Sequence, residues 1–203
     1  MSIFDFPALP VSKCLFVPLF NGDLEINKTS GHENVKDYPG ERWVVQYQFK
    51  VLTTEEAFLL REHLGKLRGV LNKSRLYDTL YTAQRGSWGG TPVVDGANQY
   101  GLYVDARGFA PNQVVAKSLD RCLIGNQLME LSDDATANAN GQARLYFTNE
   151  LRNLTTDGML ITADISALRT IGRWTRPEQI RQLTGTKRLY RNITLDFVES
   201  FDD

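Results

Sequence analysis

Histidine and cysteine are scarce in this chain: His32 and His63, Cys14 and Cys122, and no others in 203 residues. Two cysteines so far apart make neither a disulfide framework nor a zinc site. They read as reduced, buried thiols, which places folding in a reducing compartment. "REHLG" around His63 is not the zinc-protease pattern HExxH. Long apolar runs are missing too. No stretch of about eighteen apolar residues occurs, so no membrane insertion is expected. The N-terminal "MSIFDFPALPVSKCLF" lacks the charged region and unbroken apolar core of an export signal. Nor is there an excess of charge. Lys and Arg number 23 and Asp and Glu 24, a net charge of −1, which excludes an overall attraction to nucleic acid or anionic lipid.

Other motifs fail on spacing. "RGSWGG" holds three glycines but neither GxxxxGK[ST] nor GxGxxG. Its expected task is to carry the chain across a domain boundary, with glycine supplying positive φ. Asp133 and Asp134 in "SDDATANANG" lack the spacing and closing Glu of a calcium loop, and read as a solvated turn. The expectation is no catalytic residue, no metal and no cofactor.

What is present is regular structure. In "WVVQYQFKV", Trp43, Val45, Tyr47, Phe49 and Val51 alternate with Val44, Gln46, Gln48 and Lys50. Period two with the large apolar groups on one side predicts a half-buried strand. Thr53 and Glu56 then stand in capping-box spacing. Ala57, Leu60, Leu64 and Leu67 follow as the apolar stripe of a helix, with Gly69 at the expected left-handed C-cap. Gly65 inside that helix suggests the close approach of another backbone. Between 84 and 167 the texture changes to short runs, "TPVVD", "GLYVDAR", "RCLIGNQLMEL", "ARLYFTN" and "GMLITAD", separated by turn residues. These predict a small OB-like β-barrel. "LYRNITLDFV" closes the chain as a second strong strand, and residues 42–51 are its expected partner, since a lone strand would leave its hydrogen bonds unmet. The predicted fold is α+β and mainly β. A discontinuous domain with one helix is built from 1–83 and 168–203, and the OB-like domain, 84–167, is inserted in it.

Charge locates the candidate surfaces. Segment 84–167 has six basic and nine acidic residues, the wrong sign for a groove that tracks phosphates. Trp88, Tyr100, Tyr103 and Phe109 there are candidate stacking surfaces for an oligosaccharide or oligonucleotide. Residues 169–191 hold Arg169, Arg173, Arg176, Arg181, Lys187, Arg188 and Arg191 against Glu178 as the lone acid. With Trp174 among them, this stretch is the candidate subunit interface, because Arg forks and indoles are enriched where proteins meet. Trp43 is assigned to the core by its parity, and Trp88 to either role.

The organisation resembles the distal tail protein family of bacteriophages with long, non-contractile tails. "RWVVQYQFKVLTTEEAFLLREHLGKLRG" is similar to the strand, turn and helix of that family's N-terminal domain, and "RLYRNITLDFVES" to its returning strand. The segment from "GSWGGTPVVDGANQYG" to "ARLYFTNELR" is similar to the inserted OB-like domain of members from phages of Gram-negative hosts. The first forty residues and "RWTRPEQIRQLTGTKR" match no part of the pattern. The resemblance implies a non-enzymatic structural subunit at the virion tail tip, made in the host cytoplasm. It implies a hexameric ring joining the tail-tube protein to the baseplate hub, with the barrel as a wall or as a dock for tail fibres or a receptor-binding protein, and DNA passing only in transit through the lumen.

Overall fold

The strand expected from alternation is part of a much longer one. In the computed structural model, which describes residues 1–183, 185–186 and 189–201, the elements in chain order are β1 (Ile3–Asp5), β2 (Lys13–Ile26), β3 (Glu33–Thr53), α1 (Thr54–Leu67) and β4 (Lys73–Leu76). Then come β5 (Gly90–Val94), β6 (Gly101–Phe109), β7 (Val114–Ala116), β8 (Arg121–Ile124), β9 (Gln127–Glu130), β10 (Ala135–Thr136), β11 (Gln142–Leu151) and β12 (Ile161–Thr162). The chain ends with β13 (Thr170–Trp174), a 3-10 helix (Pro177–Gln182), β14 (Gly185–Thr186) and β15 (Leu189–Glu199).

The large sheet runs β1-β4-β13-β15-β3-β2, with β14 also paired to β15. β15 lies antiparallel to β3 from Leu189↔Thr53 to Val198↔Val44, the pairing expected for the last strand. Trp43, Val45, Tyr47 and Phe49 are buried, as their parity predicts. Val51 is not: it is exposed, and Leu52 is buried in its stead. Opposite, Asn192 takes a left-handed φ of 54° and drops out of the regular register. The ribbon therefore turns over just before the helix, which is why Arg191, the residue that breaks the parity of β15, faces solvent.

Thr53 caps α1 with both halves of a capping box, Thr53 accepting from the Glu56 N–H and Glu56 from the Thr53 N–H. Ala57, Leu60, Leu64 and Leu67 are buried against the sheet. The left-handed C-cap falls one residue earlier than expected, on Arg68 (φ 51°), with Gly69 also left-handed. Gly65 marks no close approach: a Cβ there would meet nothing within 4 Å.

The middle of the chain is all β, in small sheets β5-β6-β11, β12-β8-β9 and β7-β10. Single bridges, Val93↔Leu160 and Leu131↔Phe147, link them where continuous ladders would be needed, so among the described residues no closed barrel forms. "RCLIGNQLMEL" is a tight hairpin rather than one strand, turning at Gly125 (φ 61°). Buried apolar residues form two clusters. One joins the first 76 residues to 168–197 and includes Leu128; the other lies within 94–161.

Candidate assembly surface

Three places concentrate unusual chemistry: the junction between the two apolar clusters, a sealed histidine, and the free edge of the large sheet. The junction is built on β8. Arg121 is buried and sits between two carboxylates, Asp78 at 2.7 Å and Glu130 at 3.0 Å. It donates to the Phe16 carbonyl and lies over the rings of Phe16, Trp43 and Tyr81. Beside it the Trp43 indole N–H donates to the Leu128 carbonyl at 2.9 Å. Asp120, wholly buried, accepts from the N–H groups of Arg85, Gly86 and Lys117 and from the Trp88 indole. Around "RGSWGG", positive φ occurs at Trp88 and Gly90. Gly86 is needed for another reason, because a Cβ there would lie 2.5 Å from the main chain of residues 115 and 116.

His63 Nε2 lies 3.0 Å from Ser74 Oγ; both residues are buried, and the Phe6 ring packs edge-on against the imidazole. The pair has base and hydroxyl at hydrogen-bond distance, but Ser74 is fully enclosed and no substrate reaches it. Burial, with Lys66 adding and Asp5 opposing, pulls the imidazole from its ordinary 6.5 down to about 4. An unfolded chain therefore binds the proton that the native chain refuses. The stabilisation is complete above about pH 6.5 and is lost as pH falls toward 4, by about 3 kcal/mol in total. Urea unfolding at pH 7 and pH 4 is expected to show that loss, and His63→Gln is expected to remove this component of the slope. Among the described residues no group of three His, Cys, Asp or Glu side chains is placed to hold a metal ion, and no helix is long and apolar enough to cross a membrane.

The described residues of the Arg-rich stretch do not share one environment. Trp174, a candidate contact residue, is only 1% exposed. Its partner is internal: the indole N–H donates to Gln179 Oε1 at 3.2 Å, and Gln179 in turn donates to the Asp196 carboxylate. This corrects the expectation for Trp174, since the 3-10 helix folds back over its position. The same helix blocks an edge. Where β13 leaves β15, the side chains of Gln179 and Gln182 accept from the N–H groups of Asp196 and Thr194. Arg169 lies over Tyr77 and donates to the Leu168 carbonyl. Arg173 donates to the Val70 and Leu71 carbonyls. Arg176 is exposed beside Asp196 at 3.4 Å, and Arg181 and Arg191 are exposed. Lys187 and Arg188 lie outside the described residues.

Of the candidate stacking rings, Phe109 is buried and Trp88 is half-buried with its indole held by Asp120. Tyr100 and Tyr103 are exposed. Tyr103 neighbours Tyr146 at 6.1 Å between ring centroids, and the Arg144 guanidinium covers its face at 4.5 Å.

The edge of the sheet opposite β1 is formed by β2 and the residues that follow it. β2 spans 14 residues, pairs among the described residues with β3 alone, and exposes Leu15, Val17, Leu19 and Phe20. Between the pairs Leu19↔Arg42 and Asn21↔Tyr38, β2 has one residue and β3 has three, including Gly40 at φ 110°. Beyond this bulge the two strands continue as a two-stranded arm, paired with each other from Asn21↔Tyr38 to Ile26↔Glu33. Asn27 closes the tip by accepting from the Thr29 and Ser30 N–H groups, the Asx-turn chemistry encoded by "NKTSGH". Residues opposite each other share a face, so Leu24 and Val35 stand together with Ile26 and Glu33. The other face carries Asp23, Glu25 and Lys36, with Lys36 3.7 Å from Glu25. The apolar side is bare: Leu24 is 54%, Ile26 52% and Val35 70% exposed.

Sequence reasoning missed this arm. The signal was present in the period-two placing of Leu24 and Ile26 in "GDLEI" and of Val35 in "ENVKDY", on either side of a turn-forming "NKTSGH". A comparison with models of known protein families and with curated proteins gives no match for the chain.

Proposed function

We propose that this protein is a non-enzymatic structural subunit that assembles into a closed ring. By its resemblance it is a distal tail protein of a long-tailed phage, a hexamer joining tail tube to baseplate hub at the virion tail tip. One observation carries the reading: a 14-residue edge strand runs into an arm whose apolar face has no cover among the described residues. A two-stranded ribbon is marginal in water by itself, and a long apolar sheet edge invites another chain. Protein sheets leave such features bare where a partner covers them. The rest of the design supports a rigid building block. The other long strand edge is plugged by glutamines, and a buried ion-pair network ties the two apolar clusters together. In this reading residues 84–167 are the OB-like domain, projecting from the ring as a dock for fibres, and Arg176, Arg181 and Arg191 face a neighbour. The oligosaccharide-binding reading has weaker support, because only Tyr100 and Tyr103 of its four rings are exposed and Arg144 covers the second.

Native mass spectrometry from low to high micromolar concentration tests the reading, alone and with tube and hub proteins. A hexamer, or a climb toward one, is expected. Replacing residues 22–37 by Asn-Gly, a two-residue hairpin turn joining Asn21 to Tyr38, is expected to leave a monomer that is still folded by circular dichroism. A wild-type chain that stays monomeric under every condition rejects the ring.

A further inference from the structure

We infer that the apolar face of the arm seats in a groove bordered by β1 in a second copy, so that subunits join arm to groove. This rests on the ring reading and names the surface that closes it. The groove has a volume of about 1090 Å³ and runs beside β1, where Ile3, Ile124, Leu151, Leu154, Met159 and Ile171 supply its apolar lining. Leu154 is 60% exposed there. Three of its polar side chains are already engaged with one another or with the main chain. Arg152 bonds Glu199 at 2.8 Å, and Gln127 donates to the Glu150 carbonyl and accepts from the Arg152 N–H. A small ligand would need converging polar groups to orient it. An apolar ribbon needs only shape and cover.

Placement and charge both select a second copy. β1, which borders the groove, ends the strand order on one side, and β2, which carries the arm, ends it on the other, so the arm and the groove are unlike surfaces. A contact between unlike surfaces repeats from copy to copy and generates a ring where the rotation closes, whereas a contact between like surfaces stops at a dimer. Arm residues 20–36 carry three acids, Asp23, Glu25 and Glu33, against Lys28 and Lys36. Strands β1, β4 and β13, with the groove wall, carry Lys73, Arg75, Arg152 and Arg173 against Asp5 and Glu199. The ends therefore have opposite sign, which steers encounter and fixes register.

The test uses two full-length variants, Val35→Asp in the arm and Leu154→Asp in the groove. Both positions are exposed, so folding is expected to be intact by circular dichroism. Each variant alone is expected to self-associate at least tenfold more weakly than wild type. An equimolar mixture is expected to form a heterodimer and stop, because one intact arm then meets one intact groove. If wild type assembles while either variant assembles as it does, or while the mixture stays monomeric, the groove is not the seat and the ring reading stands. If wild type never assembles, both fall.

Discussion

Arg121→Ala is expected to destabilise the fold by about 3–5 kcal/mol, the range for breaking a buried ion pair by removing one partner. The reason is what it leaves behind. Asp78 and Glu130 are 15% and 10% exposed at their side chains, and they share this one guanidinium. Without it two carboxylates stay in a poorly solvated site, and the Phe16 carbonyl loses its donor. The rings of Phe16, Trp43 and Tyr81 also lose a packed planar neighbour. In a chain of this size the midpoint of thermal unfolding is expected to drop by roughly 10 °C. The triple variant Arg121→Met with Asp78→Asn and Glu130→Gln is expected to recover a large part of the loss, since the unpaired charges go with the cation. Arg107 gives the contrast. It also faces two carboxylates, Asp95 and Asp157, each at 2.6 Å, but in solvent, and Arg107→Ala is expected to shift the melting curve far less. Equal shifts for Arg107→Ala and Arg121→Ala would reject the assignment of Arg121 as the pin between the two clusters.

Asp120→Ala is expected to cost a comparable amount, about 3–5 kcal/mol, and Asp120→Asn about 1–2 kcal/mol, by the penalty for buried donors left unmet. One carboxylate oxygen accepts from Arg85 N–H, and the other from Gly86 N–H, Lys117 N–H and the Trp88 indole. Alanine strands all four donors. Asparagine can keep its oxygen toward three of them and turns its amide against Arg85 alone. Chemical denaturation of the three proteins measures the order. A stability ranking in which asparagine is as damaging as alanine would mean that the charge, rather than the acceptor geometry, holds the "RGSWGG" segment against residues 115–117. Local loosening is expected with it, seen as faster amide exchange at Gly86 and Lys117 in the alanine variant.

The two variants probe parts of the molecule that differ in how far they could be read from residues alone. "RGSWGG" announces an irregular crossing, but nothing in it points to Asp120, which stands 34 positions beyond Gly86 and meets it only in the fold. Arg121 reads as one of six basic residues in an acidic segment. Its burial follows from Phe16, Trp43, Asp78 and Glu130, four residues from four separate stretches. Trp174 was placed at a surface because its neighbours in sequence are arginines. Gln179 and Asp196 put it inside.

The sequence by itself determined the elements governed by neighbours. Alternation from Trp43 to Phe49 set the core face of β3, because successive strand side chains point to opposite sides. Thr53 and Glu56 set the start of α1, because a capping box closes within three residues. Scarcity of histidine, cysteine and net charge made metal, thiol and nucleic-acid chemistry poor expectations from composition. Only the tertiary structure decided the rest. It turned Val51 out and Leu52 in at the twist opposite Asn192, split the middle of the chain into sheets that do not close, and lifted residues 21–38 off the sheet as a bare apolar arm. Burial is a property of what arrives from elsewhere in the chain, and an apolar face left bare shows itself only once every segment that could have covered it has been placed.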